Sequence, residues 1–349
     1  MKLKRLDANP LLTPDDLAPT RDDLEVYCTL NPGAVRFGEE ILLLVRVGER
    51  APPDNKAVSS LHYNAESDEL EVRRYSRDDP RLDSRDSRAW YYDGRLVLSS
   101  MSHLRIARSV DGVNFRFDPA PAIFPATPYE SFGCEDARIT RLGDGYYVTY
   151  TAVSEMGVAA ALASTVDFVT FKRYGIIFPP TQKDVCIFPE KFEDMYVCRH
   201  RPYKSEFSPA SIWTAYSPDL MHWGRHSQTL APVRGTWEGG RVGCGAPPIK
   251  TSEGWLELYH AADESQTYHL GAMLSDLERP ERLLTRTREP ILGPRMDYEL
   301  TGVFRNCVFH NGLIVDDDGR MIVYYGAADR ICAAAVTTVD DMIAAAKNI

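Results

Sequence analysis

Residues 133–140, GCEDARIT, begin an internal repeat and place two acids and an arginine at its start. The stretch continues as RLGDGYYVTYTAVS (141–154) and then as ALASTVDFVTF (161–171). A similar order of segments occurs about 50 residues earlier, where Asp86-Ser87-Arg88 precedes WYYDGRLVLSSMSHLRIARSVDGVNF (90–115). Both copies predict a strand, a Gly/Asp turn, an aromatic-rich strand and a small-residue strand that ends in Ser or Thr, Asp and an aromatic residue.

The repeat extends through the rest of the chain at a spacing of about 50 to 60 residues, which is typical of propeller blades of four strands. Further copies are MYVCRHRP (195–202) with SIWTAYSPDLMHW (211–223), WLELYHAAD (255–263) with HLGAMLSDLERP (269–280), and RMIVYYGAAD (320–329) with ICAAAVTTVDDM (331–342). An earlier strand pair is indicated by NPGAVRFGEEILLLVRV (31–47). The pattern predicts an all-β propeller over residues 1–349, a single catalytic domain. It leaves open whether residues 48–88 form a sixth blade or decorate a ring of five.

Two other elements bear on the fold. A two-sheet sandwich is an alternative all-β architecture, but the recurring Ser/Thr-x-Asp-aromatic turns favour a propeller. The last segment, which contains DDMIAAAK, predicts one short C-terminal helix at about residues 339–347, because acids are favourable near a helix N-terminus.

Composition excludes several classes of protein. The 349 residues carry a formal net charge of −10, which argues against nucleic acid as a partner. No run of 18 apolar residues is present, so no membrane span is expected, and the N-terminus MKLKRLDANPLL lacks the apolar region of a secretory signal. The seven cysteines contain no CxxC pair. They predict reduced thiols in a cytoplasmic protein, without a disulfide framework or a metal site.

Charged side chains recur at equivalent places in successive units, where the innermost strands of a propeller converge on its central channel. The basic candidates are Arg46, Arg138, Lys183, His200, Arg201 and His260, and the acidic ones are Glu135, Asp136, Asp184, Glu190 and Asp329. Arginine binds phosphate or carboxylate oxygens in pairs, and carboxylates accept hydrogen bonds from sugar hydroxyls. The cluster therefore predicts a site for an anionic, hydroxyl-rich ligand. The alternative is a set of salt bridges that lock neighbouring blades together.

Motifs across nearly the whole chain resemble those of the β-mannoside phosphorylases of glycoside hydrolase family 130, in particular the β-1,2-mannobiose and β-1,2-oligomannan phosphorylase branch. The matching stretches are NPLLTPDDLAPTRDDLEV, NPGAVRFGEEILLLVRV, HLRIARSVDGVNF, GCEDARITRLGDGYYVTYTAVS, KDVCIFPEK, RHRP, IWTAYSPDLMHWG, CGAPPIK, LYHAAD and YYGAAD. The resemblance implies five blades. It also implies inverting phosphorolysis, in which phosphate cleaves a β-mannoside to give α-mannose 1-phosphate and a shortened sugar.

The resemblance also implies roles for individual residues. Asp136 matches the proton donor, which is thought to act through the mannose 3-hydroxyl. Arg46, Lys183, Arg201, His260 and Tyr268 match the family's phosphate site, and Asn31 and Asp329 would lie against the sugar. Arg138 is a further candidate for the phosphate site, and further candidates for the sugar site are Glu135, Glu190, His200 and Tyr259. Phosphate is then a co-substrate, and no cofactor is expected. The chain departs from the family at Ala137, where proline is usual, and at Arg305 and His310, which puts the acceptor preference in question.

The chemistry of the candidate residues favours phosphorolysis independently. An inverting glycosidase needs an acid and a base, two carboxyls with room for a water molecule between them. A phosphorylase needs only the acid, because phosphate arrives as an anion and requires positioning and charge neutralisation. A hydrolase on the same fold, with Glu190 as a candidate base, and a non-catalytic sugar-binding propeller are the alternatives. Linkage, acceptor and assembly into a homo-oligomer are left open.

Overall fold

The computed structural model describes residues 3–83 and 88–347. Within them the chain is nearly all β, with two short α-helices and two 3-10 turns. The all-β prediction is confirmed at this level, and the C-terminal helix spans Val339–Lys347, where the acidic segment predicts it. None of the described helices is long and apolar enough to cross a bilayer.

The strands and helices follow one another in five groups with an insertion in the first. The first part of the chain contains β1 (Lys4–Arg5), a 3-10 turn (Pro14–Asp16), β2 (Glu25–Phe37), β3 (Glu40–Arg50), β4 (Ala57–Asn64), β5 (Glu69–Ser76), β6 (Leu82–Asp83), β7 (Ala89–Tyr92), β8 (Arg95–Leu98), β9 (Met101–Ser109) and β10 (Arg116–Phe117). The middle part contains a 3-10 turn (Pro128–Glu130), β11 (Gly133–Leu142), β12 (Gly145–Ser154), β13 (Gly157–Thr165), β14 (Lys172–Phe178), β15 (Gln182–Ile187), β16 (Tyr196–Pro202), β17 (Ile212–Ser217) and β18 (Gly224–Leu230). The last part contains β19 (Arg241–Cys244), β20 (Ile249–Thr251), β21 (Gly254–Ala262), β22 (Tyr268–Ser275), β23 (Leu283–Arg286), α1 (Asp297–Leu300), β24 (Val308–Val315), β25 (Arg320–Ala327), β26 (Ile331–Thr338) and α2 (Val339–Lys347).

Antiparallel hydrogen bonding groups most of these strands into five units. In order of pairing the units are unit 1 (β2-β3-β9-β10), unit 2 (β11 to β14), unit 3 (β15 to β18), unit 4 (β19-β21-β22-β23, with β20 added on β21) and unit 5 (β24-β25-β26-β1). Units 1 and 2 belong to one eight-stranded sheet, because β9 and β11 pair in parallel at Ser102 and Gly133. The N-terminal strand β1 completes the last unit, where Lys4 pairs with Val336. The first strands of units 1 to 4 contact one another in succession, β24 of unit 5 contacts β21 and β22 of unit 4, and β2 contacts both β11 and β24. The two ends of the chain are thereby joined in one sheet.

The Ser/Thr-x-Asp motif forms the same turn in different units, between the third and fourth strands. The Oδ1 atoms of Asp111, Asp167 and Asp219 each accept hydrogen bonds from two backbone N–H groups two and three residues further on. Asp276 does the same in unit 4. These side chains replace backbone acceptors in a tight turn, which explains why the motif recurs with the period of the units.

The segment between β3 and β9 is an insertion into unit 1. It forms the β4–β5 hairpin and a separate three-stranded sheet, β6-β7-β8. This differs from the sequence interpretation in one respect. The strands after Arg88 do not start a unit of their own, because β9 pairs with β3 along its whole length. Asp86 and Ser87, taken there as the start of a repeat, lie outside the described residues.

β-Bulges in the first strands change the direction of side chains that belong to the functional site. The pairing slips between Leu30 and Gly33 in β2, and equivalent slips occur in β11, β15 and β24. Asn31, Asp136 and Asp184 occupy these bulges with φ of 47°, 51° and 56°. Left-handed backbone costs of order 1 to 3 kcal/mol for a residue other than glycine, and bulges commonly re-aim a side chain beside an active site. Three polar side chains are thus turned out of the alternating strand pattern.

Candidate active site

A polar cavity of about 290 Å³, the inner cavity, opens where the first and second strands of the units meet. Its basic lining residues are Arg46, Arg88, Lys183, Arg201 and Arg241, and its acidic ones are Asp136, Asp184 and Asp329. A larger outer cavity of about 1020 Å³ lies beside it. The two cavities share Arg46, Arg88, Lys183, Tyr203 and Asp329, so they form one continuous site.

Asp136 is buried at the edge of the inner cavity. Its Oδ1 atom accepts hydrogen bonds from Asn31 Nδ2 at 2.9 Å and from Arg46 Nη1 at 3.3 Å. Burial acts to raise the pKa of this carboxyl, but the positive charges of Arg46, Lys183 and Arg138 outweigh it and hold the pKa below its ordinary value. The free protein therefore holds Asp136 as a carboxylate at neutral pH.

Glu135, the preceding residue, joins two of the cations. Arg46 Nη2 donates to Glu135 Oε1 at 2.7 Å, and Lys183 Nζ lies 3.5 Å from Glu135 Oε2. Burial disfavours the charged lysine, but Tyr203, Glu135 and Asp136 together raise the pKa of Lys183 above its ordinary value. Arg46 and Lys183 keep 20% and 19% of their side chains exposed, so each retains a side that an anion in the cavity can reach.

Asp184 lies at the floor of the inner cavity and is almost completely buried. Its Oδ1 accepts from Arg138 Nη2 at 3.0 Å, and its Oδ2 accepts from Arg201 Nε at 2.5 Å. His260 Nε2 lies 3.2 Å from the same Oδ2. Burial lowers the pKa of His260 despite the attraction of Asp184, so the imidazole is neutral at pH 7. We refer to Asp184, Arg138, Arg201 and His260 as the Asp184 cluster.

Asp329 and Tyr268 are two further sequence-selected residues that line the inner cavity. Burial raises the pKa of Asp329 and Asp136 adds to the rise, although Arg46 opposes it. Cys307 Sγ lies 3.9 Å from Asp329 Oδ1. The Tyr268 hydroxyl accepts a hydrogen bond from Arg241 Nη1 at 3.0 Å. The cavity therefore holds two neighbouring carboxyls, Asp136 and Asp329, with pKa values displaced in opposite directions.

The structure brings nine of the sequence-selected residues to the inner cavity or its rim. They are Asn31, Arg46, Glu135, Asp136, Lys183, Asp184, Arg201, Tyr268 and Asp329. Arg138 and His260 lie behind this lining in the Asp184 cluster. Arg138 donates to the backbone oxygens of Asp136 at 2.9 Å, Cys244 at 2.9 Å and Gly245 at 3.2 Å, so its donors are engaged within the protein. The contacts of Arg138 are therefore those of the alternative interpretation, in which salt bridges hold neighbouring units together.

Three selected residues lie elsewhere, and none is among the described lining residues of either cavity. Glu190 pairs with Lys250 at 2.7 Å on the surface. His200 stacks on Phe178 and lies 3.1 Å from both Gln182 Oε1 and His226 Nδ1. The Tyr259 hydroxyl donates to Glu238 Oε2 at 3.0 Å in the core. Their contacts are those of a surface pair and of packed interior side chains.

Several lining residues of the inner cavity were not among the sequence candidates for the site, including Arg88, Arg241, Phe304 and Phe309. Arg241 begins the first strand of unit 4, so its position in the repeat could have identified it, although glycines surround it in the sequence. The sequence interpretation placed Arg88 at the start of a repeat, but Arg88 belongs to the insertion, outside the strands of the five units.

Comparison with known proteins agrees with this geometry. The sequence model of the family described as β-1,4-mannooligosaccharide phosphorylase matches residues 88–348. The chain belongs to glycoside hydrolase family 130. It is 44% identical over 334 residues, 94% of each chain, to a β-1,2-mannobiose phosphorylase of Listeria innocua. A 1,2-β-oligomannan phosphorylase of Thermoanaerobacter is 39% identical over 69% of this chain and 80% of its own.

A solved structure extends the comparison to the whole fold. The β-1,2-mannobiose phosphorylase from Listeria innocua, in complex with β-1,2-mannobiose, superposes with a TM-score of 0.95 at 41% sequence identity. The alignment covers 99% of both chains. The insertion and the five units of this family 130 chain are therefore shared with that structure.

The positions at which this family 130 chain departs from the usual pattern have different surroundings. Ala137 is fully buried in the bulge after Asp136. His310 is also fully buried, and burial lowers its pKa to about 3, so it is a neutral interior side chain. Arg305 is exposed between the lining residues Phe304 and Cys307. Of the three, Arg305 is the one whose charge reaches solvent near the cavity mouth.

Proposed function

We propose that this chain catalyses the inverting phosphorolysis of β-1,2-mannobiose or β-1,2-oligomannan to α-mannose 1-phosphate and a shortened sugar. One observation carries the proposal: the buried acid Asp136, which matches the family's proton donor, shares a small cavity with the cations Arg46, Lys183 and Arg201. The β-1,2 linkage is supported by the relative that aligns over nearly the whole chain, whereas the family description names the β-1,4 linkage.

The reaction needs a nucleophile on one face of the mannose and a proton donor for the leaving sugar. A phosphate oxygen attacks C1 of the mannose from the face opposite the leaving sugar, and the C1–O glycosidic bond breaks. The leaving oxygen gains a proton that originates on Asp136 and passes through the mannose 3-hydroxyl. Because phosphate attacks in place of water, the step needs no second carboxyl as a base.

Phosphate binding also determines when the proton donor Asp136 carries its proton. In the free protein the neighbouring cations keep Asp136 ionised. A phosphate dianion between Arg46, Lys183 and Arg201 neutralises those cations and adds negative charge, and both effects raise the pKa of Asp136. The carboxyl then takes up a proton when the co-substrate is in place, so protonation and the arrival of phosphate are coupled.

The two cavities divide the substrates by size. The inner cavity, at about 290 Å³, suits phosphate and the reacting mannose, with Asp329 and Asn31 as hydroxyl partners. The outer cavity, at about 1020 Å³, suits the leaving sugar and any further units. Phosphate is the co-substrate in this scheme, and no cofactor takes part.

For the architecture we propose a five-bladed propeller formed by the whole chain as one domain. The contacts of β2 with both β11 and β24 support a ring, as does the completion of unit 5 by β1. A cytoplasmic location and a sugar and phosphate as the only partners remain predictions, together with the open question of a homo-oligomer. All seven cysteines are free and buried, which fits a reducing compartment.

The test is to incubate the protein with β-1,2-mannobiose, and in parallel with β-1,4-mannobiose, with and without inorganic phosphate. Mannose 1-phosphate and free mannose are then quantified. We expect mannose 1-phosphate from the β-1,2 substrate only when phosphate is present. Free mannose at equal rates in both conditions would indicate a hydrolase. Sugar phosphate from the β-1,4 substrate alone would correct the linkage, and binding without any product would favour the sugar-binding alternative.

A further inference from the structure

We propose that Asp184 is the positioning residue of the phosphate site, since it fixes Arg201 for the anion and, through Arg138, the backbone of the acid Asp136. This rests on the proposed phosphorolysis. The Asp184 cluster joins side chains from three units, because Arg138 lies on β11, Arg201 on β16 and His260 on β21. One carboxylate therefore holds together parts of the fold that are distant in sequence.

The two arginines of the cluster are used differently. Arg201 donates its Nε to Asp184 and lines the inner cavity. Within the described part of the chain its terminal nitrogens have no protein acceptor, which leaves them for an anion. Arg138 is only 1% exposed, and it donates hydrogen bonds to Asp184 and to three backbone oxygens, including that of Asp136. Asp184 thus orients one arginine toward the ligand and anchors the other beneath the acid.

Local backbone features make room for this arrangement. Asp184 itself has a left-handed φ of 56° in the β15 bulge, a conformation that costs energy for a non-glycine residue. Gly243, on the adjoining first strand β19, leaves space for the cluster. A Cβ atom there would lie 2.6 Å from Asp184 Oδ2 and 2.2 Å from His260 Nε2. Any side chain at position 243 would therefore push the imidazole and the carboxylate apart.

Charge explains why the cluster needs an acid. Removing one partner of a buried ion pair leaves an uncompensated charge. Without Asp184, Arg138 and Arg201 would repel each other and also Lys183 and Arg241. Arg201 would then turn toward whatever acceptor is in reach, and its orientation toward phosphate would be lost. The effect on the KM is specific to phosphate, because the mannoside is neutral.

The matched control is a second buried ion pair with no link to the site. Glu257 accepts from Arg199 Nε at 2.8 Å and from Nη2 at 2.5 Å, and both side chains are buried. Neither is among the described lining residues of the two cavities. Glu257→Gln and Asp184→Asn therefore make the same chemical change at similar depth, one away from the inner cavity and one at its floor.

The experiment measures the KM for phosphate, the KM for β-1,2-mannobiose and thermal stability in wild type, Asp184→Asn and Glu257→Gln. We expect Asp184→Asn to raise the phosphate KM at least about tenfold, as for loss of a charge-assisted contact, with a change of less than about threefold in the mannobiose KM. Glu257→Gln should lower stability and leave both KM values unchanged. An unchanged phosphate KM in Asp184→Asn would overturn the proposal.

A second variant covers the case in which Asp184→Asn does not fold. Gly243→Ala changes no charge and displaces the same atoms by one methyl group, so it should also raise the phosphate KM selectively. Equal increases in both KM values would mean a general distortion and would contradict the proposal. Wild-type protein is assayed first: if it forms no mannose 1-phosphate, the proposed function fails, whereas a phosphate-dependent wild type with unaltered variants refutes only the role of Asp184.

Discussion

The inner and outer cavities adjoin, yet they are built from different kinds of sequence. Most described lining residues of the inner cavity come from the first two strands of the repeated units, and charged groups dominate it. The outer cavity is bounded by the insertion, which contributes Tyr75, Tyr92 and Leu96, and by the hairpin of unit 2, which contributes Met156. One wall of it is therefore aromatic and apolar, although Arg46, Lys183 and Asp329 are common to both cavities.

This difference separates the residues that carry out the reaction from those that determine which acceptor sugar binds. Charges in a small, partly buried cavity interact strongly with a phosphate and with a developing transition state. Apolar and aromatic walls in a wide cavity contact sugar rings by stacking and van der Waals packing, which is weaker and tolerates variation. The comparison implies that changes in the inner cavity abolish the reaction, whereas changes in the outer cavity alter which acceptor is used.

The largest effect is expected for Asp136→Asn. The amide keeps the size of the side chain but cannot donate the proton to the leaving group, so kcat should fall by about 10²- to 10⁴-fold. Phosphate binding, measured by calorimetry with inorganic phosphate, should persist because Arg46, Lys183 and Arg201 remain. A variant with more than a tenth of the wild-type rate would show that another group supplies the proton.

Lys183→Ala should have the next largest effect. It removes one cation from the inner cavity, and a charge-assisted hydrogen bond of about 1.5 to 3 kcal/mol corresponds to roughly a 10- to 150-fold weaker interaction. The phosphate KM is the quantity to measure. Lys250→Ala serves as the control, because Lys250 pairs with Glu190 at the surface and should not affect this KM. Equal changes in both variants would argue against a phosphate site at Lys183.

The outer cavity can be tested through Tyr92. Its ring packs on Tyr75 with centroids 4.6 Å apart and lines the cavity, whereas Tyr91 on the same strand is 48% exposed and does not. We expect Tyr92→Ala to lower kcat/KM for β-1,2-mannotriose about 3- to 10-fold, because this loss corresponds to the free energy of one aromatic contact. The phosphate KM should not change. Tyr91→Ala should behave as wild type. A selective rise in the phosphate KM would show that the two cavities do not divide the substrates.

The same division explains what could be predicted from the sequence. Asp136, Lys183 and Arg201 were identified because they recur at equivalent strand positions and match the family motifs. The repeat predicts successive units but leaves five or six open, and the resemblance to the family implies five. Side chains alternate between the faces of a strand, and a bulge shifts this alternation by one residue. His200, next to Arg201, consequently packs against Phe178. Arg88 belongs to the insertion, where no repeat gives its position, so long-range packing alone brings it to the cavity.

A smaller effect is expected in stability rather than rate. Asp329 has a raised pKa in the folded protein, so the folded state binds this proton more tightly than the unfolded state does. Its ionisation therefore reduces stability as pH rises above the ordinary aspartate pKa. Asp329→Asn should raise Tm at pH 7 on the order of 1 °C, and the difference should shrink as pH falls toward 4.

The control for this prediction has the opposite sign. The partly exposed Asp276 has a lowered pKa, because its carboxylate accepts hydrogen bonds from the backbone N–H groups of Arg279 and Glu278. It stabilises the fold above its ordinary pKa and loses this contribution as pH falls. Asp276→Asn should therefore lower Tm at pH 7. If Asp329→Asn also lowered Tm at pH 7, the attraction of Asp329 to the cavity cations would outweigh its burial and its repulsion by Asp136.

The smallest effect is expected for Glu190→Gln, which separates the phosphorylase from a hydrolase on the same fold. Glu190 is 40% exposed and its partner Lys250 is 54% exposed, and exposed ion pairs contribute only about 0 to 1 kcal/mol. The rate of mannose 1-phosphate formation should therefore stay within about twofold of wild type. An inverting hydrolase requires a second carboxyl as its base, and Glu190 was the candidate in the sequence. A tenfold loss with Glu190→Gln would mean that a carboxyl outside both cavities reaches the reacting atoms, which would contradict the assignment of chemistry to the inner cavity alone.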